Sequence, residues 1–170
     1  DVVNIIPRGG TILYTARCDE FRTPEGRAKA YNTCKLLGLD GIVAIGGDGT
    51  FRGAHELSQH GVSVVGIPAT IDNDVASTTY TVGFDTCLNT ISDSLSKIND
   101  VFISHRGVAI IELMGRTCPD LTIRSAIANN TTYMVTKYSK LKKEDFLRIA
   151  MEGFVKAKRN VTFLVTEQLY

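Results

Sequence analysis

The sequence predicts an α/β fold, doubly wound, with mostly parallel sheets and helices on both faces. Three observations carry this. Short apolar runs at 41–45, 62–67, 108–113 and 161–165 have the continuous hydrophobicity of strands buried on both sides. Amphipathic segments of helical length separate them. The strand–helix–strand connections are short, so successive strands are joined by crossovers and run parallel.

In order along the chain, residues 1–15 read as a short helix or turn, a bend at Arg8-Gly9-Gly10 and a strand. Thr23-Pro24-Glu25 is a helix start, with Thr as cap and Pro at the first helical position; Ala30, Tyr31, Cys34 and Leu37 follow at helical spacing and Gly38 ends the helix. The strand Gly41 to Ile45 leads into the turn Gly46-Gly47-Asp48-Gly49-Thr50, then a helix from Phe51 to about His60 and a strand from Val62 to Ile67. Asp74 to Thr81 reads as a polar loop, and beyond it Leu88, Ile91, Leu95 and Ile98 form one face of a helix. Val108 to Leu113 is a strand, Asp120 is expected to cap a helix containing Leu121, Ile123, Ala126 and Ile127, and Tyr133-Met134-Val135 is a short strand. From Lys142 to Lys158, Phe146, Ile149, Ala150 and Phe154 fall on one side of a helix and Lys143, Glu144, Arg148 and Lys156 on the other, a solvated face. The strand Val161 to Val165 brings Thr166 and Glu167 to a carboxyl end, where ligands gather in such sheets.

With 170 residues, 44% hydrophobic and 22% charged, the chain suits one domain or two small ones. A net charge of +1 offers no polyanion-binding surface, so no nucleic-acid partner is expected. No apolar run approaches the ~20 residues of a membrane span, so no membrane partner is expected, and Asn4, Pro7 and Arg8 interrupt the early apolar residues, so no signal peptide is expected. Cys18, Cys34, Cys87 and Cys118 lack C-x-x-C spacing and read as reduced thiols of a reducing cytosol.

Chemistry concentrates in two stretches. At the strand-to-helix turn, Gly46, Gly47, Gly49 and, beyond it, Gly53 fit close backbone approach to phosphates, Thr50 offers a hydroxyl, and the helix start favours negative charge. Pro68-Ala69-Thr70-Ile71-Asp72-Asn73-Asp74 follows the next strand, so Asp48, Asp72 and Asp74 are expected at the ends of two neighbouring strands. A metal-holding acid, a base near an acceptor hydroxyl and backbone donors for phosphates are what phosphoryl transfer needs. Asp72 is the candidate base, fully ionised and weak if its pKa stays near the unperturbed ~3.9. Asp48 is the candidate Mg²⁺ ligand with Asp74 nearby through water, because Mg²⁺ takes only one or two carboxylates. An Asp after Gly-Gly alone would equally be a turn or helix cap; the second acidic stretch favours the functional reading.

The blocks Arg8-Gly9-Gly10-Thr11, Ala16-Arg17, Glu20-Phe21-Arg22, the two stretches above, Thr81-Val82-Gly83-Phe84-Asp85-Thr86, Glu112-Leu113-Met114-Gly115-Arg116 and Thr166-Glu167 run in an order that resembles the 6-phosphofructokinase family. The resemblance covers essentially the whole chain, which is similar to about the middle half of a family subunit built of two Rossmann-like halves. It implies that residues 1–83 are part of the nucleotide-binding half and 84–170 part of the sugar-phosphate half. It further implies ATP as donor, Mg²⁺, transfer to the 1-hydroxyl of fructose 6-phosphate in glycolysis, a cytoplasmic location and a homo-oligomer, a tetramer as in the family. Thr70, Asp72, Arg116 and Arg17 are then catalytic, and Gly46, Gly47, Gly49, Thr50, Gly53 and Arg17 contact the nucleotide. Asp48 and Asp74 hold the metal, and Thr70, Asp72, Asp74, Met114, Gly115, Arg116 and Glu167 contact the sugar phosphate. The two arginines suit the transferred group because a planar guanidinium meets two phosphate oxygens at once.

The chain also departs from the family. Gly49 matches ATP users, where pyrophosphate users carry Asp, but Ala69 stands where ATP users have Gly and pyrophosphate users Lys. Gly107 replaces an Arg that reaches the 6-phosphate from a neighbouring subunit, and alternation along a strand keeps Arg106 from substituting for it. Thr132 and Asn99 replace a Glu and an Arg of the bacterial effector site, although Lys156 and Lys158 remain, so control by ADP-like or phosphoenolpyruvate-like effectors is expected to be weak or absent. Two alternatives stay open: a pyrophosphate-dependent enzyme, and a non-catalytic subunit or fragment of the same fold.

Overall fold

A computed structural model describes residues 3–139 and 141–169, which pack as two compact units: Asp1–Ala44 with Phe51–Val65, and Ile45–Thr50 with Gly66–Tyr170. In the first unit a 3-10 turn, Glu20–Arg22, precedes helix α1, Pro24–Leu36. Thr23 caps α1 as its side chain accepts from the Gly26 N–H, with Pro24 at the first helical position. Cys34, Leu57 and Val62 form this unit's core, with Phe21, Ala30, Tyr31, Ile42 and Val64 packed on it. Leu37 lies past the helix end and is exposed.

Among the described residues, no strand forms before Thr15. Residues 3–19 are turns and irregular chain, Leu13 and Tyr14 are exposed, and Tyr14 adopts φ 59°, which breaks an extended run. Without a neighbour to pair with among the described residues, the stretch has no ladder to satisfy its backbone.

Strand β1, Ile42–Gly46, pairs with β2, Val64–Pro68. The Ile42 N–H donates to Ser63 O at 2.8 Å and the Ala69 N–H to Gly46 O at 2.8 Å; residue numbers rise together, so the pair is parallel. Between them α2 spans Asp48–Gln59. It starts three residues earlier than its apolar pattern suggests, so Asp48, Gly49 and Thr50 form its first turn instead of a free loop.

The second unit is built on the sheet β3-β5-β4, all parallel: β3 Val108–Leu113, β4 Tyr133–Val135 and β5 Val161–Thr166. Every residue of the central strand β5 is buried. Paired residues of parallel strands share a face, and each face has its own core. On one, Leu113 and Leu164 meet Leu95 of helix α3, Phe84–His105, and Ala126 of α4, Asp120–Ala128. On the other, Val161 and Phe163 pack with Ala150, Phe146, Ile149 and Phe154 of α5, Lys143–Val155. This is the doubly wound arrangement expected, with the strand bounds of β3 and β4 as read from the sequence.

Two details differ. Pro119, not Asp120, occupies the cap position of α4, and Asp120 is its first helical residue. Arg106 is not a strand residue: it ends α3 at φ 53° and its guanidinium lies 5.4 Å from the Phe154 ring centre, an attractive cation–π distance. Gly107 after it has no room for a side chain, since a Cβ there would come 2.6 Å from the Phe102 ring.

A candidate active site at the strand ends

The carboxyl ends of β2, β3 and β5 carry the acidic and basic side chains that the second unit brings together. Thr70 begins the segment: its hydroxyl accepts the Asp72 N–H at 3.1 Å, a local turn that sets the direction of the Asp72 side chain. Burial comes first, then the nearby Asp74 carboxylate, in lifting the Asp72 carboxyl above the ordinary carboxylate range; Arg116 opposes this, Glu167 adds to it, and hydrogen bonding from Thr70 opposes it. The sequence reading treats Asp72 as unperturbed and hence weak. In its folded surroundings it is a stronger base than that.

Arg116 reaches Asp74, with Nη1 3.9 Å from Oδ2, a long and partly solvated pair that adds little stability. The other carboxylate oxygen, Oδ1 of Asp74, is buried and has no hydrogen-bond partner among the described residues. A buried, unpaired carboxylate oxygen costs free energy unless something positive or donating meets it, so this atom suits a hydrated cation.

Arg116 stands on a strained turn. Gly115 has φ 127° and Arg116 φ 53°, both left-handed, and a Cβ on Gly115 would come 2.8 Å from Cys118 O. Glu167, just past β5, holds that turn: its Oε1 accepts the Gly115 N–H at 3.1 Å and the Arg116 N–H at 2.7 Å. Met114 is exposed just past the end of β3. Cys87, in the first turn of α3, has its thiol pushed up by burial and then by the Asp72 charge, which puts that helix start beside Asp72.

The glycine turn lies against the same segment. Gly46 O accepts the Ala69 N–H, and Gly47 packs so closely on Thr70 that a Cβ would come 3.1 Å from the Thr70 Cβ. Thr50 covers Gly46, whereas a Cβ on Gly49 would meet open space, so room for a ligand opens at Gly49. Asp48 opens α2 at a helix N-terminus that favours anions. No three His, Cys, Asp or Glu side chains gather at metal-holding spacing among the described residues. Mg²⁺ needs no such cage, because it takes one or two carboxylates and completes its shell with water and phosphate oxygens.

Arg17 and Gly53 belong to the first unit. Arg17 is exposed in irregular chain, and Gly53 faces the Phe21 ring, 3.2 Å from where its Cβ would be, which is a packing reason for glycine there. The residue that sequence reasoning misses is Asn73, whose side chain holds the segment in shape. Its Oδ1 accepts the Thr81 N–H at 3.1 Å and its Nδ2 donates to Asp120 Oδ2 at 3.1 Å. The available signal is an Asn, the residue most tolerant of left-handed backbone after Gly, between two acids in a polar loop.

Away from these groups, Asn99, Thr132 and Lys158 line a polar cavity of about 200 Å³. Asn99 Oδ1 there accepts from Asn160 Nδ2 at 3.2 Å and Thr162 Oγ1 at 3.0 Å, so this acceptor is engaged within the protein.

The chain is similar to known proteins along its whole length. The family profile described as Phosphofructokinase matches residues 1–170. The chain is 45% identical over 166 residues to an ATP-dependent 6-phosphofructokinase of Clostridium novyi (strain NT), covering 98% of this chain and 52% of that protein. It is 44% identical, with the same coverage, to the enzyme of that name from Clostridium botulinum (strain Hall). The solved phosphofructokinase of Saccharomyces cerevisiae superposes with a TM-score of 0.80 at 31% identity, over 93% of this chain and 25% of that one. The chain thus spans about half the length of the curated relatives it matches.

Proposed function

Because this chain belongs to the phosphofructokinase family, we propose that it is the central part of an ATP-dependent 6-phosphofructokinase, which transfers the γ-phosphoryl group of ATP to the 1-hydroxyl of fructose 6-phosphate in glycolysis. The observation that carries the reading is the gathering of Asp72, Asp74, Arg116 and Glu167 at the carboxyl ends of three strands beside the glycine turn.

In this reading the backbone at Gly46, Gly47 and Gly49, the Thr50 hydroxyl and the start of α2 bind the nucleotide phosphates. Asp72 accepts the proton of the sugar hydroxyl as that oxygen bonds to the γ-phosphorus and the bond to the ADP oxygen breaks. Asp74, through its buried unpaired Oδ1, and Asp48 hold Mg²⁺, which would neutralise charge on the phosphates when bound. Arg116 meets the transferred group. Glu167 spends Oε1 on the Gly115–Arg116 turn, which leaves Oε2 to accept sugar hydroxyls, while Thr70, Met114 and Gly115 complete the sugar contact. Arg17 and Gly53 are assigned to ATP on the resemblance alone. We extend the same reading to 1–83 as part of the nucleotide half, 84–170 as part of the sugar half, weak effector control, and a cytoplasmic homo-oligomer.

The open space at Gly49 and the ATP-dependent relatives favour ATP over pyrophosphate. The complete polypeptide assayed with each donor tests this: turnover with ATP and none with pyrophosphate is the expected result. Turnover with pyrophosphate alone reverses the donor assignment, and turnover with neither leaves a non-catalytic subunit.

A further inference from the structure

The segment that carries Asp72 and Asp74 is not part of a helix or strand, yet both carboxylates must be held against Arg116 and Glu167. Its base is closed by an isolated parallel bridge between Ala69 and Val82, with the Val82 N–H donating to Pro68 O at 2.9 Å. Above that, no ladder continues, and one side chain takes its place. Asn73, at φ 52°, turns its amide into the loop. Its Oδ1 accepts the Thr81 N–H at 3.1 Å; its Nδ2 donates to Thr79 O at 3.3 Å and to Asp120 Oδ2 at 3.1 Å. The buried Thr81 hydroxyl in turn donates to Thr70 O at 2.6 Å. The Cys118 thiol also lies 3.9 Å from Asn73 O.

We propose that Asn73 is a positioning residue, whose side-chain amide locks the Thr70–Asp74 segment both to Thr79–Thr81 and to Asp120 at the start of α4. This rests on the kinase reading above, since the groups being positioned are its proposed base and metal ligand. Only a primary amide fits. The position needs one acceptor and two donors on a short side chain, and a carboxylate would set its oxygen against Thr79 O and Asp120 Oδ2. Left-handed backbone independently favours Asn there over other non-glycine residues.

The polarity of the Asn73–Asp120 contact makes the proposal testable by exchange. In the complete polypeptide, Asn73→Asp is expected to lower kcat by about a hundredfold, the cost of misplacing reacting groups by about 1 Å. KM for ATP stays within about threefold, because the nucleotide contacts lie on the glycine turn. Asp120→Asn keeps most of the activity, since its amide oxygen can still accept from Asn73. The double variant Asn73→Asp/Asp120→Asn recovers about tenfold over Asn73→Asp, because donor and acceptor have traded places at the Asp120 contact while the repulsion at Thr79 O stays. A kcat for Asn73→Asp within about threefold of the parent, or a double variant no better than the single, overturns the proposal. Hydrogen exchange at the Thr81 amide supplies a readout free of activity: Asn73→Ala is expected to accelerate it selectively relative to the β5 amides. Unchanged protection also overturns the lock. Absence of kinase activity in the parent protein would sink the functional reading while leaving that exchange result to judge the lock.

Discussion

Glu167→Ala removes the acceptor that fixes the Arg116 turn. Two backbone donors converge on Oε1, at 3.1 Å from Gly115 N and 2.7 Å from Arg116 N. A hydrogen bond to a charged group contributes roughly 1.5–3 kcal/mol net. Arg116 is exposed, so water replaces much of its share, whereas Gly115 is buried and its N–H is left without that acceptor. About 2 kcal/mol is therefore lost from the turn, which at 1.4 kcal/mol per decade corresponds to roughly a thirtyfold drop in kcat if the loss falls on Arg116 placement in the transition state. Glu167→Gln keeps an oxygen acceptor, so its kcat is expected to stay near the parent while KM for fructose 6-phosphate rises as the sugar contact proposed for Glu167 weakens. Steady-state kinetics of both variants in the complete polypeptide separate the two roles. A kcat for Glu167→Ala within about threefold of the parent would refute the reasoning that Glu167 holds Arg116 in place.

Further outcomes follow from the same geometry. The upward shift of Asp72 means the proposed base is lost to protonation at a higher pH than an unperturbed carboxylate would be; Asp74→Asn removes a like charge and is expected to move the acid limb of the Asp72-dependent rate to lower pH, and an upward move would contradict this. The same upward shift makes Asp72 a contributor to stability at low pH that disappears as pH rises through its folded pKa, so Asp72→Asn is expected to flatten that part of the stability profile in denaturant titrations. Gly107→Arg, which restores the family residue, must displace the Phe102 ring and is expected to lower unfolding stability by about 1–3 kcal/mol. Gly49→Asp meets open space and adds an acid to a helix start, so the melting temperature should hold while KM for ATP rises at least about tenfold through repulsion of the phosphates.

The repeating order of strand and helix was readable because apolar runs and amphipathic faces are local properties of the chain; β3 and β4 have the bounds their composition suggests. The strand expected near Thr15 fails because a strand depends on a partner that composition does not reveal. Asp48 was read as part of a strand-to-helix turn ahead of the helix, but Gly49 and Thr50 continue into helix geometry and make it the first residue of α2. Asp72, Asp74, Arg116 and Glu167 were each nameable from motif and spacing. What they do to one another was not, because the Glu167–Arg116 bond joins residues 51 apart and the Asn73–Asp120 bond residues 47 apart. The rise of the Asp72 pKa has the same origin, since burial and Asp74 set it and neither is visible in a linear pattern.

Replacing Asp72 by Ser in the complete polypeptide tests most directly whether this carboxylate takes the proton in phosphoryl transfer. The expected result is a kcat lower by roughly 10²–10⁴, the usual contribution of a positioned base, with KM for ATP little changed. A variant that turns over at the parent rate would show that the carboxylate at the end of β2 is not the base.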